Sequence, residues 1–142
     1  MRNQKEEFLM SEIQITARFG ETDALGHINN ASYFSYLEEA RIRFFEEIGY
    51  NINTKKWNFI LASTKCDFIS QGYFNQKLTI MTNVSKIGTK SFQLEHEIVC
   101  SQTGNIIARA NAVIVYFDFD KQESAMIPDL LREGLRGYLV HR

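Results

Sequence analysis

The sequence contains little proline and little cysteine. Its single proline, Pro128, stands near the C-terminal end, so long helices and strands can run uninterrupted over most of the chain. The two cysteines, Cys66 and Cys100, are too few and too far apart for a disulfide framework or a Cys-X-X-Cys motif. We therefore expect reduced structural thiols in a cytoplasmic protein.

An excess of one charge and a long apolar run are also lacking. The 16 Lys and Arg residues are balanced by 17 Asp and Glu residues, which argues against a nucleic-acid partner. No apolar run approaches the roughly 20 residues that a membrane span needs, and residues 1–12 lack the apolar core of an export signal. We therefore expect neither nucleic acid nor membrane among the partners.

The chain is organised as one domain. Hydrophobic residues make up 44% of its 142 residues, enough for a packed core, and no linker or repeat divides it. Residues 1–11 are charged and aperiodic, which predicts an N-terminal extension. Residues 12–142 are predicted to form the single domain.

The hydrophobic pattern predicts an α+β fold. Apolar residues follow strand-like patterns over 12–19, 77–87, 91–100 and 106–118, and the mixed apolar stretch 59–69 is also predicted to be a strand. One long helix is predicted over 31–48, and Pro128 opens a short terminal helix over 128–140. The last three strands are joined by tight turns, which predicts an antiparallel meander. We expect five mainly antiparallel strands wrapped around the long helix, with a second copy of the chain covering the remaining apolar surface.

The long helix carries an apolar stripe that must face the sheet. Either Asn29 or Asn30 can cap its start, and Gly49 suits the left-handed position after its end. The stripe consists of Tyr33, Leu37, Ala40, Phe44 and Ile48, widened by Phe34 and Phe45.

The loop before this helix concentrates the polar chemistry of the chain. Asp23, His27 and two asparagines lie within eight residues and lead to a helix N-terminus, where unpaired N–H groups can polarise a carbonyl. A nearby carboxylate can attack that carbonyl or deprotonate a water. The same composition is typical of a polar capping loop, so chemistry alone leaves both interpretations open.

The motif around this loop resembles one known family. Residues 18–41, RFGETDALGHINNASYFSYLEEAR, resemble the hot-dog-fold acyl-CoA thioesterases of the 4-hydroxybenzoyl-CoA thioesterase-like group. The shared features are an acidic Glu-Thr-Asp step, a Gly-His pair followed by two asparagines, and a tyrosine-rich helix ending in Glu-Glu-Ala-Arg. The GHINN portion is also similar to the loop of plant acyl-carrier-protein thioesterases.

The resemblance implies a fold and a site. The sheet would wrap the helix, and dimers or tetramers would hold active sites between subunits. The family's catalytic aspartate falls on Asp23, as nucleophile or as general base. The thioester oxygen would bind the main-chain N–H groups of Ala31, Ser32 and Tyr33, which would line the substrate site.

Two positions depart from one branch of the family. That branch has Tyr four residues before the aspartate and His seven after it, whereas this chain has Phe19 and Asn30 there. We therefore hypothesise that Asn30 orients the water or the carbonyl. His27, four residues after Asp23, would support the loop or the departing thiolate.

Several residues also have a purely structural interpretation. Asp23 could only order the turn through hydrogen bonds to the backbone, and His96 is expected to be a core or interface histidine with a hydrogen bond. Glu38 could be a second catalytic acid, although an ion pair with Arg41 or Arg18 is the favoured interpretation.

The sequence as a whole predicts an acyl-CoA thioesterase that releases a carboxylic acid and coenzyme A. No metal-ligand cluster or dinucleotide motif is visible, so no metal and no cofactor is expected. The alternatives are a thioesterase specific for acyl-carrier protein and a non-catalytic module that binds acyl-CoA.

Overall fold

The computed structural model describes residues 9–50 and 57–140. Most of the predicted N-terminal extension, residues 1–8, lies outside this range. The strands are β1 (Ser11–Thr16), β2 (Phe59–Phe68), β3 (Lys77–Ile87), β4 (Ser91–Cys100), β5 (Ile106–Asp118) and β6 (Glu123–Ser124), and the helices are α1 (Asn30–Glu47) and α2 (Asp129–Arg136). No helix within the described ranges is long and apolar enough to cross a membrane.

The strands form one mainly antiparallel sheet. Its order is β1-β3-β4-β5-β2, and the two-residue β6 pairs with β5 beside this path. The predicted meander of β3, β4 and β5 is confirmed, and β1 and β2 form the two edges. The sheet therefore has the five predicted strands and one additional short strand, β6, which is too short to give a periodic signal.

The inner face of the sheet packs on α1 through two apolar clusters. The first cluster lies along the first half of α1, around Leu37 and Ala40, and the second lies along its second half, around Phe44 and Phe45. A face of β5 with small side chains meets both clusters, since Ala108 belongs to the first and Ala112 to the second. Small side chains there let the helix approach the sheet closely.

Two aromatic residues lie differently from their predicted positions. Phe19 is the last apolar residue of the predicted strand 12–19. In the structure, residues Phe19–Glu21 form a 3₁₀ turn and the Phe19 side chain is 76% exposed. Phe34 lies at the margin of the helix stripe and is exposed, with its ring 6.3 Å from that of Phe68 on β2. Both rings therefore lie outside the core that their spacing predicted.

A buried polar layer separates the two apolar clusters. His96 on β4 pairs with Thr82 on β3, with 2.9 Å between its Nδ1 and the threonine hydroxyl, which confirms the predicted core histidine. Arg41 of α1 is also buried. Burial, assisted by the Arg41 charge, lowers the pKa of His96 from 6.5 to about 3, so the imidazole is neutral in the folded protein.

The His96 pKa predicts a loss of stability in mild acid. The unfolded chain binds a proton at His96 below pH 6.5 while the folded chain does not, so falling pH favours unfolding. When the pH falls from 7.5 to 5, we expect His96 to lower the free energy of unfolding by about 2 kcal/mol. Urea unfolding of the wild type and His96→Leu at both pH values measures it, and equal pH dependence in the two proteins would contradict it.

Candidate active site

The loop between β1 and α1 folds back on itself as a tight hairpin. The Asp23 N–H donates to the His27 carbonyl at 2.8 Å, and Thr22 pairs with Ile28 in an antiparallel bridge. Gly26 has a φ of 81°, a backbone conformation that glycine adopts without strain. This hairpin holds Asp23 and His27 across from one another just before the helix.

The Asp23 carboxylate has one engaged oxygen and one free oxygen. Oδ1 accepts hydrogen bonds from the N–H groups of Leu25, at 2.8 Å, and His27, at 3.1 Å. Oδ2 has no hydrogen bond within the described part of the chain, and the residue is exposed. The carboxylate therefore orders the turn with one oxygen and presents the other to solvent, so its structural and chemical roles are compatible.

The start of α1 has its own hydrogen-bond arrangement. Asn29 is the cap, since its side-chain oxygen accepts the Ala31 N–H at 2.8 Å and its carbonyl accepts the Ser32 N–H at 2.9 Å. Asn30 is the first helical residue, and its exposed side chain has no hydrogen-bond partner among the residues described. The predicted oxyanion donors thus lie at the helix start, where a ligand carbonyl would compete with Asn29 for the Ala31 N–H.

Glu21 connects the loop to the helix. The residue is part of the sequence motif, but the sequence did not indicate this role. Its Oε1 accepts from the Tyr36 hydroxyl of α1 at 2.7 Å and from the Arg18 N–H at 2.9 Å. Its carbonyl accepts from the Asn29 N–H at 2.8 Å and from the Ser32 hydroxyl at 3.1 Å. The residue two positions before Asp23 is therefore fixed to both the cap and the body of the helix.

The charge of Glu21 is stabilised by the same contacts. Partial burial alone would raise the pKa of Glu21, but hydrogen bonds from the Arg18 N–H, the Tyr36 hydroxyl and the Arg18 guanidinium outweigh it and lower the pKa. Burial and the bond to Glu21 raise the pKa of Tyr36, which keeps its hydroxyl protonated as the donor. The carboxylate is consequently ionised at neutral pH while Tyr36 holds it in place.

His27 and the nearby aromatic residues form one side of the loop. The half-buried His27 ring meets the edge of Tyr73 with 5.1 Å between ring centroids, and the two residues form an isolated antiparallel bridge. Phe19 and Leu25 are each more than three-quarters exposed beside them. The loop that carries Asp23 therefore also presents exposed apolar side chains.

The favoured ion pair of Glu38 is not formed within the described residues. Arg18 pairs instead with Glu21, at 2.8 Å. Burial lowers the pKa of Arg41 and the Glu38 charge opposes that effect, but no contact of 4.0 Å or less joins the two groups within the described residues. Glu38 and Arg41 are three residues apart on the helix, a spacing that favours an ion pair. The pair does not form because the Arg41 side chain is buried beneath α1.

Tyr33 is packed beneath the loop at a point of very close approach. A Cβ added to Gly72 would lie 2.5 Å from the Ile28 Cδ1 and 2.6 Å from the Tyr33 hydroxyl oxygen. The Gly72 carbonyl accepts the Ile28 N–H at 2.8 Å. Glycine at position 72 therefore lets the loop and the helix start share one closely packed support.

Replacement of Gly72 by alanine is expected to disturb this support. Because Ile28 and Tyr33 are both buried, neither can move away freely, and we expect Gly72→Ala to cost about 1–3 kcal/mol of stability. Gly20→Ala is the matched control, since a Cβ at Gly20 would meet no atom within 4 Å. Urea unfolding measures both, and an unaltered Gly72→Ala midpoint would show that the support is not closely packed.

The sequence is similar to known proteins over most of its length. The family described as the Thioesterase-like superfamily matches residues 17–135. FadM of Escherichia coli, named a long-chain acyl-CoA thioesterase, is 27% identical over 130 residues, which cover 87% of this chain and 96% of FadM. YsmA of Bacillus subtilis is 34% identical over 83 residues, which cover 58% of this chain and only 56% of YsmA.

Solved structures show the same architecture. The structure of a predicted thioesterase from Bacillus stearothermophilus matches with a TM-score of 0.87 and 30% sequence identity, covering 94% of this chain and 99% of that chain. The sheet wrapped around the helix and the match to this solved structure define a thioesterase-type hot-dog fold, as the family resemblance implied. The chain belongs to the thioesterase-like superfamily.

Proposed function

We propose that this protein is an acyl-CoA thioesterase. In the reaction, a C–O bond forms between the acyl carbon and a water-derived oxygen, the C–S bond breaks, and a proton passes to the coenzyme A thiolate. The observation that carries the proposal is the Asp23 carboxylate, held by two backbone N–H groups and free at Oδ2, beside the start of the long helix. Membership of the thioesterase-like superfamily supports the same reaction.

The other site residues would act on the carbonyl and the leaving group. The thioester oxygen would accept hydrogen bonds from main-chain N–H groups among Ala31, Ser32 and Tyr33, aided by the positive end of the helix dipole. Asn30, whose side chain is exposed at the first helical position, would orient the water or the carbonyl. His27 would support the loop or stabilise the thiolate.

Asp23 could serve this reaction in two ways, and ¹⁸O label found in the protein after a single turnover identifies the nucleophilic one. As nucleophile, it would form a mixed anhydride, which water then hydrolyses at the aspartyl or acyl carbon. As general base, it would deprotonate a water that attacks the thioester directly. In a single turnover in ¹⁸O-water, direct attack puts the label into the carboxylic acid, whereas hydrolysis of an anhydride at the aspartyl carbon leaves the label in the protein.

We further propose a cytoplasmic homo-oligomer, a dimer or a tetramer. The edge strand β2 is largely exposed, and Leu61 and Phe68 are each 43% exposed along it, with Phe34 of α1 beside Phe68. A second copy would cover this apolar edge. Light scattering should give two or four times the chain mass. The free thiols of Cys66 and Cys100 fit a reducing compartment.

A coenzyme A release assay tests the function. Short, long and aromatic acyl-CoAs are compared with the same acyl groups on acyl-carrier protein, and we expect turnover of at least one acyl-CoA. Turnover of carrier-bound substrates alone would favour the acyl-carrier-protein thioesterase. Ligand-induced stabilisation without any turnover would favour the non-catalytic binding module and overturn the proposal.

A further inference from the structure

Residues 72–74, in the loop between β2 and β3, lie beside the hairpin that carries Asp23. Tyr73 and His27 form an antiparallel bridge. Two main-chain hydrogen bonds flank it, from the Ile28 N–H to the Gly72 carbonyl at 2.8 Å and from the Phe74 N–H to the Gly26 carbonyl at 3.0 Å. A bridge flanked in this way is a non-hydrogen-bonded pair, the kind whose opposing side chains lie closest together.

This pairing places three side chains in a row. Asp23 lies opposite His27 in the hairpin, since the Asp23 N–H donates to the His27 carbonyl at 2.8 Å, and His27 lies opposite Tyr73. Residues opposite one another on antiparallel strands project from the same face. Ile28, the next residue along, projects from the other face and is buried. The outer face of the paired loops therefore carries Asp23, His27 and Tyr73 in that order.

The His27 imidazole is oriented by an aromatic contact and not by a hydrogen bond. Its ring centroid lies 5.1 Å from that of Tyr73, and the two ring planes meet at 76°. Neither ring nitrogen has a hydrogen-bond partner among the described residues. An imidazole that takes part in catalysis is usually oriented by a hydrogen bond to one of its nitrogens. Here the Tyr73 ring supplies the orientation and leaves both nitrogens open to a ligand.

Tyr73 is itself fixed through its main chain. Its N–H donates to the Gln76 Oε1 at 2.9 Å, and its carbonyl accepts the Gln76 N–H at 3.1 Å. The Tyr73 side chain is 49% exposed and belongs to neither apolar cluster of the core. The ring therefore adds little to the packing of the core, and its defined contact is the one with His27.

We propose that Tyr73 is a positioning residue that holds His27 beside the departing thiolate. The inference rests on the proposed thioesterase function and goes beyond it, since it assigns His27 to the leaving group and adds Tyr73 to the site. As the C–S bond breaks, its electron pair stays on sulfur, and a His27 ring N–H donates a hydrogen bond to that sulfur. The proton lost by the attacking water ends on the sulfur, so coenzyme A leaves as the thiol.

The row gives the imidazole the reach that this role needs. The Cβ atoms of opposing residues lie about 4.5–5.5 Å apart, and a carbonyl carbon under attack lies about 3–3.5 Å from the attacking group. The thioester sulfur is one covalent bond beyond that carbon. A thioester at Asp23 can therefore direct its carbonyl oxygen toward the start of α1 and its sulfur toward His27, the next residue of the row.

The experiment varies the thiol and keeps the acyl group constant. The acyl group that gives the fastest coenzyme A release is carried either by N-acetylcysteamine, an alkyl thiol like coenzyme A, or by thiophenol. Thiophenol is the more acidic thiol and so departs with less assistance. We expect Tyr73→Leu to lower kcat/KM for the alkyl thioester by about 10- to 100-fold and for the thiophenyl ester by less than about threefold. An equal fall for the two thioesters, which a general disturbance of the loop would cause, overturns the inference.

Further variants separate the ring from the hydroxyl group and connect it to His27. Tyr73→Phe keeps the ring and should retain most of the activity on the alkyl thioester. In His27→Ala, adding Tyr73→Leu should cause no further loss, because Tyr73 acts through the imidazole. A loss in Tyr73→Phe as large as that in Tyr73→Leu, or a further loss in the double variant, contradicts the positioning role.

His27→Ala alone tests the leaving-group role even if Tyr73→Leu does not fold. It should lower kcat/KM for the alkyl thioester by at least about a hundredfold and should affect the thiophenyl ester much less. Equal losses on the two thioesters would show that His27 does not act on the leaving group, and the inference would be wrong.

Phe119→Leu is the matched control for Tyr73→Leu. Phe119 follows β5, is 45% exposed, and has its ring centroid 5.0 Å from that of Phe117. The substitution thus removes a half-exposed ring with a close aromatic contact outside the candidate site. Its kcat/KM should equal that of the wild type for both thioesters. A loss comparable to that in Tyr73→Leu would show that the effect is not specific to the row, and would overturn the inference.

The outcomes also separate this inference from the proposed function. Turnover of acyl-CoA by the wild type, with Tyr73→Leu affecting both thioesters equally, contradicts only the positioning role. No release of coenzyme A from any acyl-CoA contradicts the thioesterase function and this inference with it.

Discussion

Asp23→Asn should lower kcat for acyl-CoA hydrolysis by at least about a hundredfold, the usual worth of a positioned acid or base. The asparagine side-chain oxygen can still accept the Leu25 and His27 N–H groups that Asp23 binds at 2.8 and 3.1 Å. The loop should therefore keep its shape while losing the ionised oxygen. Steady-state coenzyme A release measures the change, and thermal melting within a few degrees of the wild type shows that the fold is intact.

Asp118 offers a matched control for this substitution. Its Oδ1 accepts two backbone N–H groups in the turn after β5, from Asp120 at 2.9 Å and Lys121 at 3.0 Å. Asp118→Asn thus makes the same chemical change in the same kind of turn, outside the candidate site. Its activity should equal that of the wild type. Full activity in Asp23→Asn would leave Asp23 with only its role in ordering the turn.

Glu21→Ala should give the second large effect, a fall in kcat of about 10- to 100-fold. The substitution removes the acceptor of the buried Tyr36 hydroxyl and of the Arg18 N–H, so the loop loses its side-chain connection to the body of α1 and keeps only the carbonyl contacts of residue 21 at the helix start. The unpaired hydroxyl should also cost about 1–3 kcal/mol of stability. Because Glu21 positions Asp23 without contacting substrate, kcat should fall more than KM rises.

Tyr36→Phe removes only one of the Glu21 contacts and tests the same connection. It should cost less stability than Glu21→Ala, and the double variant should cost less than the two single losses added together. Strict additivity of the two substitutions, measured by urea unfolding, would show that Glu21 and Tyr36 do not act through their shared 2.7 Å hydrogen bond.

The stabilising contacts of the Glu21 carboxylate with Tyr36 and Arg18 should also weaken in acid. Its pKa is lowered in the folded protein, so its stabilising contribution is complete above its ordinary value of 4.5 and is lost as pH falls through the folded pKa. Glu21→Gln removes this titration. Below pH 4.5, the free energy of unfolding of the wild type should therefore fall more steeply with pH than that of Glu21→Gln. An equal pH dependence in the two proteins would contradict an ionised Glu21 in these contacts.

The strands of the meander were predictable because local patterns specify them. Three strands, Lys77–Ile87, Ser91–Cys100 and Ile106–Asp118, have the predicted bounds, since their alternation is regular and Gly104, with a φ of 77°, sits in the last hairpin turn. Helix α1 begins one residue earlier than predicted, because Asn29, the first of the two caps that the sequence offered, supplies the cap.

Features set by tertiary packing were not predictable. Alternation places Phe19 in the core, but the chain turns at Arg18, where Glu21 accepts its N–H, and the ring is left exposed. Helical spacing offers Arg41 as a surface partner of Glu38, whereas the guanidinium is buried between the apolar clusters. These outcomes depend on which elements meet across the fold, and one-dimensional spacing does not contain that information.

The proximity of the candidate residues was predictable, whereas their hydrogen bonds were not. The motif gathers Asp23, His27 and Asn30 before the helix, and the structure places them in one hairpin and at the helix start. The Asn29 side chain binds the Ala31 N–H, and the Glu21 carboxylate binds the Tyr36 hydroxyl. Both hydrogen bonds depend on side-chain rotamers, which the sequence pattern does not specify.

The most direct test of the central claim is a crystal structure with a stable ketone analogue, in which a methylene group separates the acyl carbonyl from the coenzyme A sulfur. We predict the carbonyl oxygen about 2.7–3.1 Å from a main-chain N–H at the start of α1. Asp23 Oδ2 should lie about 3–3.5 Å from the carbonyl carbon, or one water away from it. An analogue bound with its carbonyl beside another acid, and Asp23 facing only its own turn, would contradict the account.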